Sequence, residues 1–319
     1  MADITQPLVS MITYCYNGER FVHRYFEAIL AQSYQNIELV FFNNGSEDKT
    51  GKIAEEYKRK LEARGIQVQL IHFEKNQNTC ELKQKGFELM HGDYFFGCDS
   101  DDLIHPTYIE EMAGYLINHP EKGIVFCALD VIQEETGEKI GTERRIPQTT
   151  SRGAFVDMLY ARNTIFTAIS YMMSREQYLR INGNFDFYIS RYGENYQLQL
   201  PFLYYDLQGY IDKPLGDYTV RGDSYSGQLK RDYAKQVDSY KGQEITILET
   251  LKRINQEETK PYQIIAKKRL RRDRFYASLR LNDAALRRTC YEELREVGGL
   301  ETKERLVYTF RPIYLMLRA

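Results

Sequence analysis

The sequence contains no tryptophan, only eight prolines, and five scattered cysteines among 319 residues. The cysteines lack the paired spacing of zinc or redox sites, so we expect unbridged thiols in a reducing compartment. No apolar run reaches the roughly 18 residues needed to span a membrane, and no signal peptide pattern is present. The formal net charge of −2 gives no reason to expect nucleic acid as a partner. A cytoplasmic location is therefore expected.

Short apolar runs alternate with segments of helical periodicity over the first 133 residues, and hydrophobic residues make up 43% of the chain. The predicted strands cover residues 8–14, 37–42, 68–73, 94–98 and 123–132. Predicted helices lie between them, over residues 19–32, 48–61, 79–90 and 106–118, with Ser46 as the expected cap of the second. Such alternation predicts βαβ crossovers and a mostly parallel sheet.

Polar clusters follow the predicted strands at the points where they end. These clusters are Tyr16-Asn17, Asn43-Asn44, residues 74–78 and the run Asp99-Ser100-Asp101-Asp102. Ligands of open parallel sheets bind beyond the carboxyl ends of the strands. The coincidence predicts a nucleotide-type site at this edge.

The segment YFFGCDSDD places three carboxylates directly after an apolar strand. Crowded like charges are unfavourable unless a cation neutralises them. Asp99 and Asp101 could reach one hard cation, Mg²⁺ or Mn²⁺, whose remaining ligands would be water and diphosphate oxygens. The alternative is a solvated turn in which Asp102 caps the next helix.

The pattern is less regular after residue 134. Residues 153–160 and 193–207 are predicted helices, 167–173 and 210–220 predicted strands, and helical periodicity runs from about residue 232 almost to the end. The runs KKRLRRDRFYASLRL and LVYTFRPIYLMLRA make this tail basic and amphipathic. Three interpretations stay open: a solvated appendage, a dimer surface, or an interfacial helix on anionic lipid at the inner face of the cell membrane.

Five segments, in order, carry a resemblance to the family 2 inverting glycosyltransferases of the GT-A fold, of the bacterial surface-polysaccharide type. They are VSMITYCYNGERF, ILAQSYQNIELVFFNNGSEDKT, HGDYFFGCDSDDLIHP, RINGNFDFYISRYGENYQL and YTVRGDSYS. The resemblance implies an α/β fold with a Rossmann-like, mostly parallel central sheet flanked by helices. It also implies a glycosyltransferase domain over residues 1–228, with a nucleotide-binding half (1–133) and an acceptor half (134–228), and a helical extension over 229–319.

The resemblance also implies roles for individual residues. Glu194 is the expected catalytic base, beside Asn195. Asp99 and Asp101 are the expected metal ligands. The expected donor-binding residues are Tyr14, Tyr16, Glu19, Asn44, Lys83, Asp99, Ser100 and Arg221.

Three positions depart from the family pattern. Asn44 stands where relatives have an aspartate that binds the base, and Asn195 stands where they have the carboxylate that deprotonates the acceptor. Arg221 lies where many relatives place a metal-binding histidine. Arginine cannot ligate a cation, but it can bind a phosphate through two hydrogen bonds. We therefore expect the charge of the leaving group to be shared between a metal and Arg221.

The function implied is metal-dependent, inverting transfer of a sugar from a nucleoside-diphosphate sugar, with a UDP-sugar favoured, to a glycan or lipid-linked acceptor. Two alternatives remain. One is a non-catalytic nucleotide-sugar-binding homologue, which the missing carboxylates at 44 and 195 favour. The other is a nucleotidyltransferase, which is weaker because no glycine-rich basic loop follows the first strand.

Overall fold

The computed structural model of the protein describes residues 6–148, 150–311 and 315. Within these residues nine strands form one sheet. They are β1 (Val9–Cys15), β2 (Ile37–Asn44), β3 (Gln67–Phe73), β4 (Tyr94–Gly97), β5 (Leu103–Ile104), β6 (Ile124–Gln133), β7 (Lys139–Glu143), β8 (Tyr171–Ser174) and β9 (Gln208–Val220). Their order is β3-β2-β1-β4-β8-β6-β9-β5, with β7 beside β6.

Within the described residues, helices alternate with the strands in the first part of the chain, and only helices follow β9. The first seven are α1 (Val22–Leu30), α2 (Thr50–Ala63), α3 (Thr79–Leu89), α4 (Tyr108–Asn118), α5 (Gly153–Leu159), α6 (Arg175–Asn182) and α7 (Glu194–Tyr204). The remaining five are α8 (Tyr225–Arg231), α9 (Tyr233–Asn255), α10 (Lys260–Ser278), α11 (Ala284–Glu296) and α12 (Thr302–Thr309).

The first four strands are parallel, so their carboxyl ends meet at one edge of the sheet. β1 pairs with β2 on one side and β4 on the other, and β3 extends β2. The antiparallel β8 then joins β4 to β6, while β9 runs parallel to β6. The predicted α/β class and mostly parallel central sheet are therefore confirmed.

Alternate side chains of the central strands pack into two apolar cores, one on each face of the sheet. Met11 and Phe96 lie in the core under α1, α2 and α4, whereas Ile12 and Phe95 lie in the core with α3, α5 and α7. This period-two alternation on strands buried on both faces explains their continuous apolar runs. All five cysteines are buried and free, as expected of small apolar side chains.

The second core continues into the C-terminal helices α9 and α10. Ile247 and Leu251 of α9, with Ala266 and Leu270 of α10, pack against the same cluster as α5 and α7. A third, smaller core of Phe275, Leu279, Cys290 and Leu294 joins α10 to α11 and α12. The expected boundary at residue 228 falls within α8, and the division into two parts stays a prediction.

Two local predictions were wrong. Ser46 does not cap α2, because its Oγ accepts the backbone N–H of Asn17 at 2.9 Å, and the residue before α2, Lys49, makes no side-chain cap. The predicted strand over 167–173 begins as a 3₁₀ turn (Ala168–Ser170), and β8 starts only at Tyr171. Both errors come from tertiary contacts that local propensity does not contain.

The basic segment of α10 is tied to neighbouring helices by ion pairs. Arg271 contacts Glu244 of α9, Arg272 contacts Glu301, and Arg274 contacts Glu293 of α11. These charges therefore serve packing between helices. Within the described part of the chain, no helix is both long and apolar enough to cross a bilayer.

Candidate functional site

Two loops at the carboxyl edge of the sheet are held together by hydrogen bonds. The Gly18 N–H donates to Thr50 Oγ1 at 2.8 Å, and the Glu19 N–H donates to Asp48 Oδ2 at 2.9 Å. A Cβ atom at Gly18 would lie 2.3 Å from Cys15 Sγ, so this close approach of the backbone requires glycine. The loop after β1 is thereby fixed over the end of β2.

The acidic run is positioned by the end of β4 and by β9. Asp102 is buried, and its Oδ1 accepts the backbone N–H of Thr219 at 3.0 Å, which attaches the run to β9. Burial raises the pKa of Asp102 well above its usual value, and the charges of Asp99 and Asp101 add to this effect. Asp102 is thus not a helix cap; it is a buried residue at the floor of the site, attached to β9.

A cavity of about 530 Å³ opens above this edge, and we call it the Asp99 cavity. It brings together seven residues that the sequence predicted for the site. These are Tyr14, Tyr16, Asp99, Ser100, Asp101, Asn195 and Arg221. Its size is in the range of small-molecule sites.

Asp99 and Asp101 have different surroundings within the Asp99 cavity. The carboxylate of Asp99 is solvent-accessible and has no hydrogen bond or ion pair with any other described residue. Burial of the cavity floor and the neighbouring charge of Asp101 raise the pKa of Asp99 to about 6. The carboxylate of Asp101 is paired, because its Oδ2 lies 2.8 Å from Arg221 Nη2.

These two aspartates suit a hard cation that takes most of its ligands from a bound diphosphate and water. No group of three or more histidine, cysteine, aspartate or glutamate side chains gathers as a metal site within the described residues. Mg²⁺ commonly uses one or two carboxylates together with substrate phosphates. The donor set therefore fits Mg²⁺ or Mn²⁺, with Asp99 as the carboxylate that forms no ion pair with a described residue, although the nearby charge of Lys83 partly offsets the rise in its pKa.

Lys83 and Glu194 form an ion pair beneath the Asp99 cavity. Lys83 Nζ donates to Glu194 Oε1 at 3.2 Å, and both side chains are largely shielded from solvent. Burial raises the pKa of Glu194, but the charge of Lys83 and two hydrogen bonds outweigh it and hold that pKa below its usual value. Glu194 is thus ionised at neutral pH.

Glu194 lines a second cavity of about 660 Å³, which we call the Glu194 cavity. Its wall includes residues of the β3–α3 loop, and Leu229 of α8 and Gln243 of α9 complete it. The adjacent Asn195 faces the Asp99 cavity instead. Asn195 accepts a hydrogen bond from the Tyr171 hydroxyl at 3.0 Å and donates to the Phe166 carbonyl at 2.7 Å.

Besides Lys83, two of the predicted donor-binding residues, Asn44 and Glu19, lie outside the Asp99 cavity. The Asn44 amide donates to the backbone carbonyl of Gln77 and accepts its N–H, at 3.2 and 2.8 Å. Glu19 is paired with Lys49 at 3.0 Å on the surface. The structure does not bring these two side chains to the aspartates, and their assignment to the donor stays a prediction.

Sequence reasoning missed four aromatic residues of the site, one of which, Tyr218, lies on β9 within the last segment of resemblance. Phe21 and Phe166 line the Asp99 cavity, and the buried Tyr171 holds Asn195. Phe21 lies within the first segment of resemblance and could have been found there. Phe166 and Tyr171 precede and begin a short strand with no motif around it, so the sequence carries no signal for them.

The sheet order and the cavity at its carboxyl edge are those of a GT-A-like α/β protein, and comparison with known proteins gives the family. The family model for glycosyl transferase family 2 matches residues 10–180. The chain therefore belongs to glycosyl transferase family 2.

Curated relatives match part of the chain. An uncharacterized glycosyltransferase of Rickettsia typhi is 34% identical over 132 residues, 41% of this chain and 39% of that protein. The putative glycosyltransferase EpsH of Bacillus subtilis is 34% identical over 140 residues, 43% of this chain and 38% of that protein. These matches span less than half the length of either relative. The putative glycosyltransferase EpsE of the same organism is 29% identical over 219 residues, 68% of this chain and 74% of that protein.

Solved structures with the same fold cover nearly the whole chain. TarS of S. aureus, crystallised with UDP-GlcNAc, superposes with a TM-score of 0.55 at 15% identity, over 91% of this chain and 90% of that one. The mannosyltransferase PcManGT of Pyrobaculum calidifontis, in complex with GDP-Man and Mn²⁺, gives a TM-score of 0.53 at 14% identity, over 98% and 81%. These likenesses extend the GT-A architecture beyond the segment that the family model matches.

Proposed function

We propose that the protein transfers a sugar, with inversion, from a nucleoside-diphosphate sugar to a hydroxyl of a glycan or lipid-linked acceptor. The observation that carries this proposal is the Asp99 carboxylate, which lies in a ligand-sized cavity without a partner among the described residues. A negative group in that position is costly unless the ligand brings a cation. The Mn²⁺ in the PcManGT complex and the UDP-sugar in the TarS complex support such a ligand.

In this proposal Asp99 and Asp101 hold Mg²⁺ or Mn²⁺, which when bound neutralises charge on the leaving diphosphate. Arg221, 2.8 Å from Asp101, stands where it can form two parallel hydrogen bonds to the same diphosphate. Tyr14 and Tyr16 line the cavity and would contact the nucleoside. Tyr16 is half exposed, so its ring could stack on a base.

Glu194 is the proposed base. It is ionised at neutral pH, and it lies near enough to Asp99 to raise the pKa of that carboxyl. It would accept the proton of the acceptor hydroxyl while the oxygen bonds to the anomeric carbon and the carbon–phosphate oxygen bond breaks. Lys83 orients the Glu194 carboxylate through the 3.2 Å hydrogen bond. Asp223, 3.7 Å from Arg221 Nε, is the next carboxylate to test.

UDP is the nucleotide we favour, on the likeness to the TarS complex. We propose that the protein acts in the cytoplasm, in the assembly of a surface polysaccharide. The 229–319 extension would either contact the membrane surface or form a homodimer.

The proposal is tested with Asp99→Asn and Asp101→Asn, with Asp212→Asn as a matched control at an exposed ion pair. UDP-, dTDP-, GDP- and CDP-sugars are screened by thermal shift with and without Mn²⁺, since a ligand of the native state raises the melting temperature. We expect one donor to stabilise the wild type only with Mn²⁺. Metal-dependent hydrolysis of that donor should fall by about 10²–10³ in both site variants and stay unchanged in the control. Full activity of Asp99→Asn would remove the metal assignment.

A non-catalytic nucleotide-sugar-binding protein is the second candidate, because Asn195 lacks a carboxylate and Lys83 neutralises Glu194. Metal-dependent donor binding without hydrolysis or transfer would favour it. If Glu194→Gln hydrolyses and transfers like the wild type, Glu194 is not the base.

A further inference from the structure

Arg221 is the counter-charge of Asp101 in the ligand-free protein. Its Nη2 lies 2.8 Å from Asp101 Oδ2, and both side chains are about one-fifth exposed, at 20% and 21%. The guanidinium carbon lies 4.4 Å from the centre of the Phe21 ring, which is an attractive position for a cation over an aromatic face. Arg221 thus occupies the approach to the carboxylate that would bind a metal.

Two other arginines lie close by but have other carboxylates. Arg24 reaches the backbone carbonyl of Asp101 at 3.0 Å and pairs with Glu134 at 3.7 Å. Arg20 pairs with Glu134 at 3.3 Å. Among the described arginines and lysines, the ion pair with the Asp101 carboxylate is therefore made by Arg221.

A guanidinium and a divalent cation cannot both be in close contact with Asp101 without repelling each other. The diphosphate of a donor offers the guanidinium a replacement anion with matching geometry. We propose that Arg221 is a displaceable latch: it holds Asp101 in the donor-free protein and transfers to the diphosphate when cation and donor enter together. This inference rests on the proposed function of the same cavity.

The latch is connected to the second cavity through α8. Ser224 Oγ donates to the Arg221 carbonyl at 2.9 Å and accepts the Gly227 N–H at 3.0 Å, so Arg221 is attached to the first turn of α8. The same short helix carries Leu229, which lines the Glu194 cavity. The backbone of Arg221, the first turn of α8 and one wall of the Glu194 cavity are thus parts of one continuous segment.

The first test measures Mn²⁺ binding to the full-length, nucleotide-free protein, using the electron paramagnetic resonance signal of free Mn²⁺. Arg221→Gln should bind Mn²⁺ about three- to tenfold more tightly than the wild type, because the competing charge is gone. Arg221→Lys should lie between them. Arg20→Gln is the control, since it removes the same charge beside the same Phe21 ring without touching Asp101. Affinity for UDP in saturating Mn²⁺ should change in the opposite direction and fall in Arg221→Gln.

Equal or weaker Mn²⁺ binding by Arg221→Gln would overturn the latch, as would an equal gain in Arg20→Gln. The result for Asp101→Asn separates this failure from failure of the proposed function. If Asp101→Asn loses Mn²⁺ binding while Arg221→Gln gains nothing, the metal site stands and the latch does not. If no variant binds Mn²⁺, with or without UDP, both proposals fail.

The second test uses the absence of tryptophan from the chain. Phe21→Trp places the only tryptophan of the chain, which can be excited selectively over the tyrosines, against the Arg221 guanidinium. Adding Mn²⁺ with UDP should shift the emission wavelength of this tryptophan, because the guanidinium moves away from the ring. The double variant Phe21→Trp/Arg221→Gln has no guanidinium there, so its emission should shift less. An identical response in the two proteins would contradict the latch. Circular dichroism and thermal unfolding of each variant establish that it is folded.

Discussion

Arginine and carboxylate side chains meet in two regions of the molecule, the Asp99 cavity and the packing between α10 and its neighbouring helices. Around α10, Arg271 joins Glu244 to the Glu293 carbonyl, and Arg274 reaches the Glu293 carboxylate while remaining almost fully buried. In the Asp99 cavity, Arg221 has Asp101 but Asp99 has no partner among the described residues. Around α10 the arginines form ion pairs with glutamates of the chain. In the Asp99 cavity one carboxylate, that of Asp99, forms no ion pair with a described residue.

The difference separates charges that hold the fold from charges that await a ligand. A buried ion pair with fixed partners contributes little net stability, but losing one partner is costly. An unpaired carboxylate at the floor of a cavity instead stores unfavourable electrostatic free energy that a bound cation can release. The same residue types therefore predict a loss of stability in one region and a loss of ligand binding in the other.

The largest expected effect on stability is at Arg274 and Glu293. Glu293→Gln leaves the Arg274 guanidinium, whose side chain is 8% exposed, without its anion. We expect it to lower the free energy of unfolding by about 1–3 kcal/mol, below the full cost of breaking a buried pair because Glu293 itself reaches water. Arg274→Met should cost less, since the glutamate left behind is 30% exposed. Urea unfolding measures both.

Equal costs for the two variants would contradict this asymmetry and make the pair an ordinary surface contact. Donor hydrolysis by either variant should stay at the wild-type level. A loss of hydrolysis in either variant would contradict the distinction between ion pairs that stabilise the fold and charged groups that bind the ligand.

A smaller effect is expected on membrane contact. Within the described residues Lys267 and Lys268 of α10 have no ion pair, whereas Arg271, Arg272 and Arg274 do. If the extension meets anionic lipid, Lys267→Gln should weaken binding to phosphatidylglycerol-containing vesicles about fivefold, since each basic residue near such a surface contributes about 1 kcal/mol. Arg274→Met should leave vesicle binding unchanged. Co-sedimentation measures both, and no binding by the wild type would leave the solvated-appendage and dimer interpretations.

The sequence predicted the first half of the fold well and the second half partly. Each of the first four strands is an apolar run followed by a turn signal, so its beginning and end can be predicted from the local sequence. The insertion of antiparallel β8 between β4 and β6 depends on pairings among Phe95, Ile124 and Met173, which are far apart in the chain. No local pattern contains that information.

The site was predicted where residues follow strands and was less complete on the helices. Asp99, Ser100 and Asp101 were found because they end β4. Glu194 and Asn195 are adjacent at the start of α7, yet they face different cavities, since neighbouring helix residues point about 100° apart. The sequence pattern did not predict the ion pairs of the basic stretch of α10, because their partners, such as Glu293, lie one helix further along the chain.

The smallest expected effect concerns a more exposed ion pair, His105 with Asp217. His105 Nε2 lies 2.8 Å from Asp217 Oδ1, and the two side chains are 33% and 27% exposed. The hydrogen bond to Asp217, aided by the charges of Asp217 and Asp130, raises the pKa of His105 although burial opposes it. A raised histidine pKa stabilises the fold fully below the ordinary value of about 6.5, and the stabilisation is lost as pH rises through the raised value. We expect the wild type to exceed His105→Gln in unfolding free energy by about 0.5–1 kcal/mol at pH 5.5, with a smaller margin at pH 8.5. A margin that grows with pH would show that the pair is not charged in the way the geometry indicates.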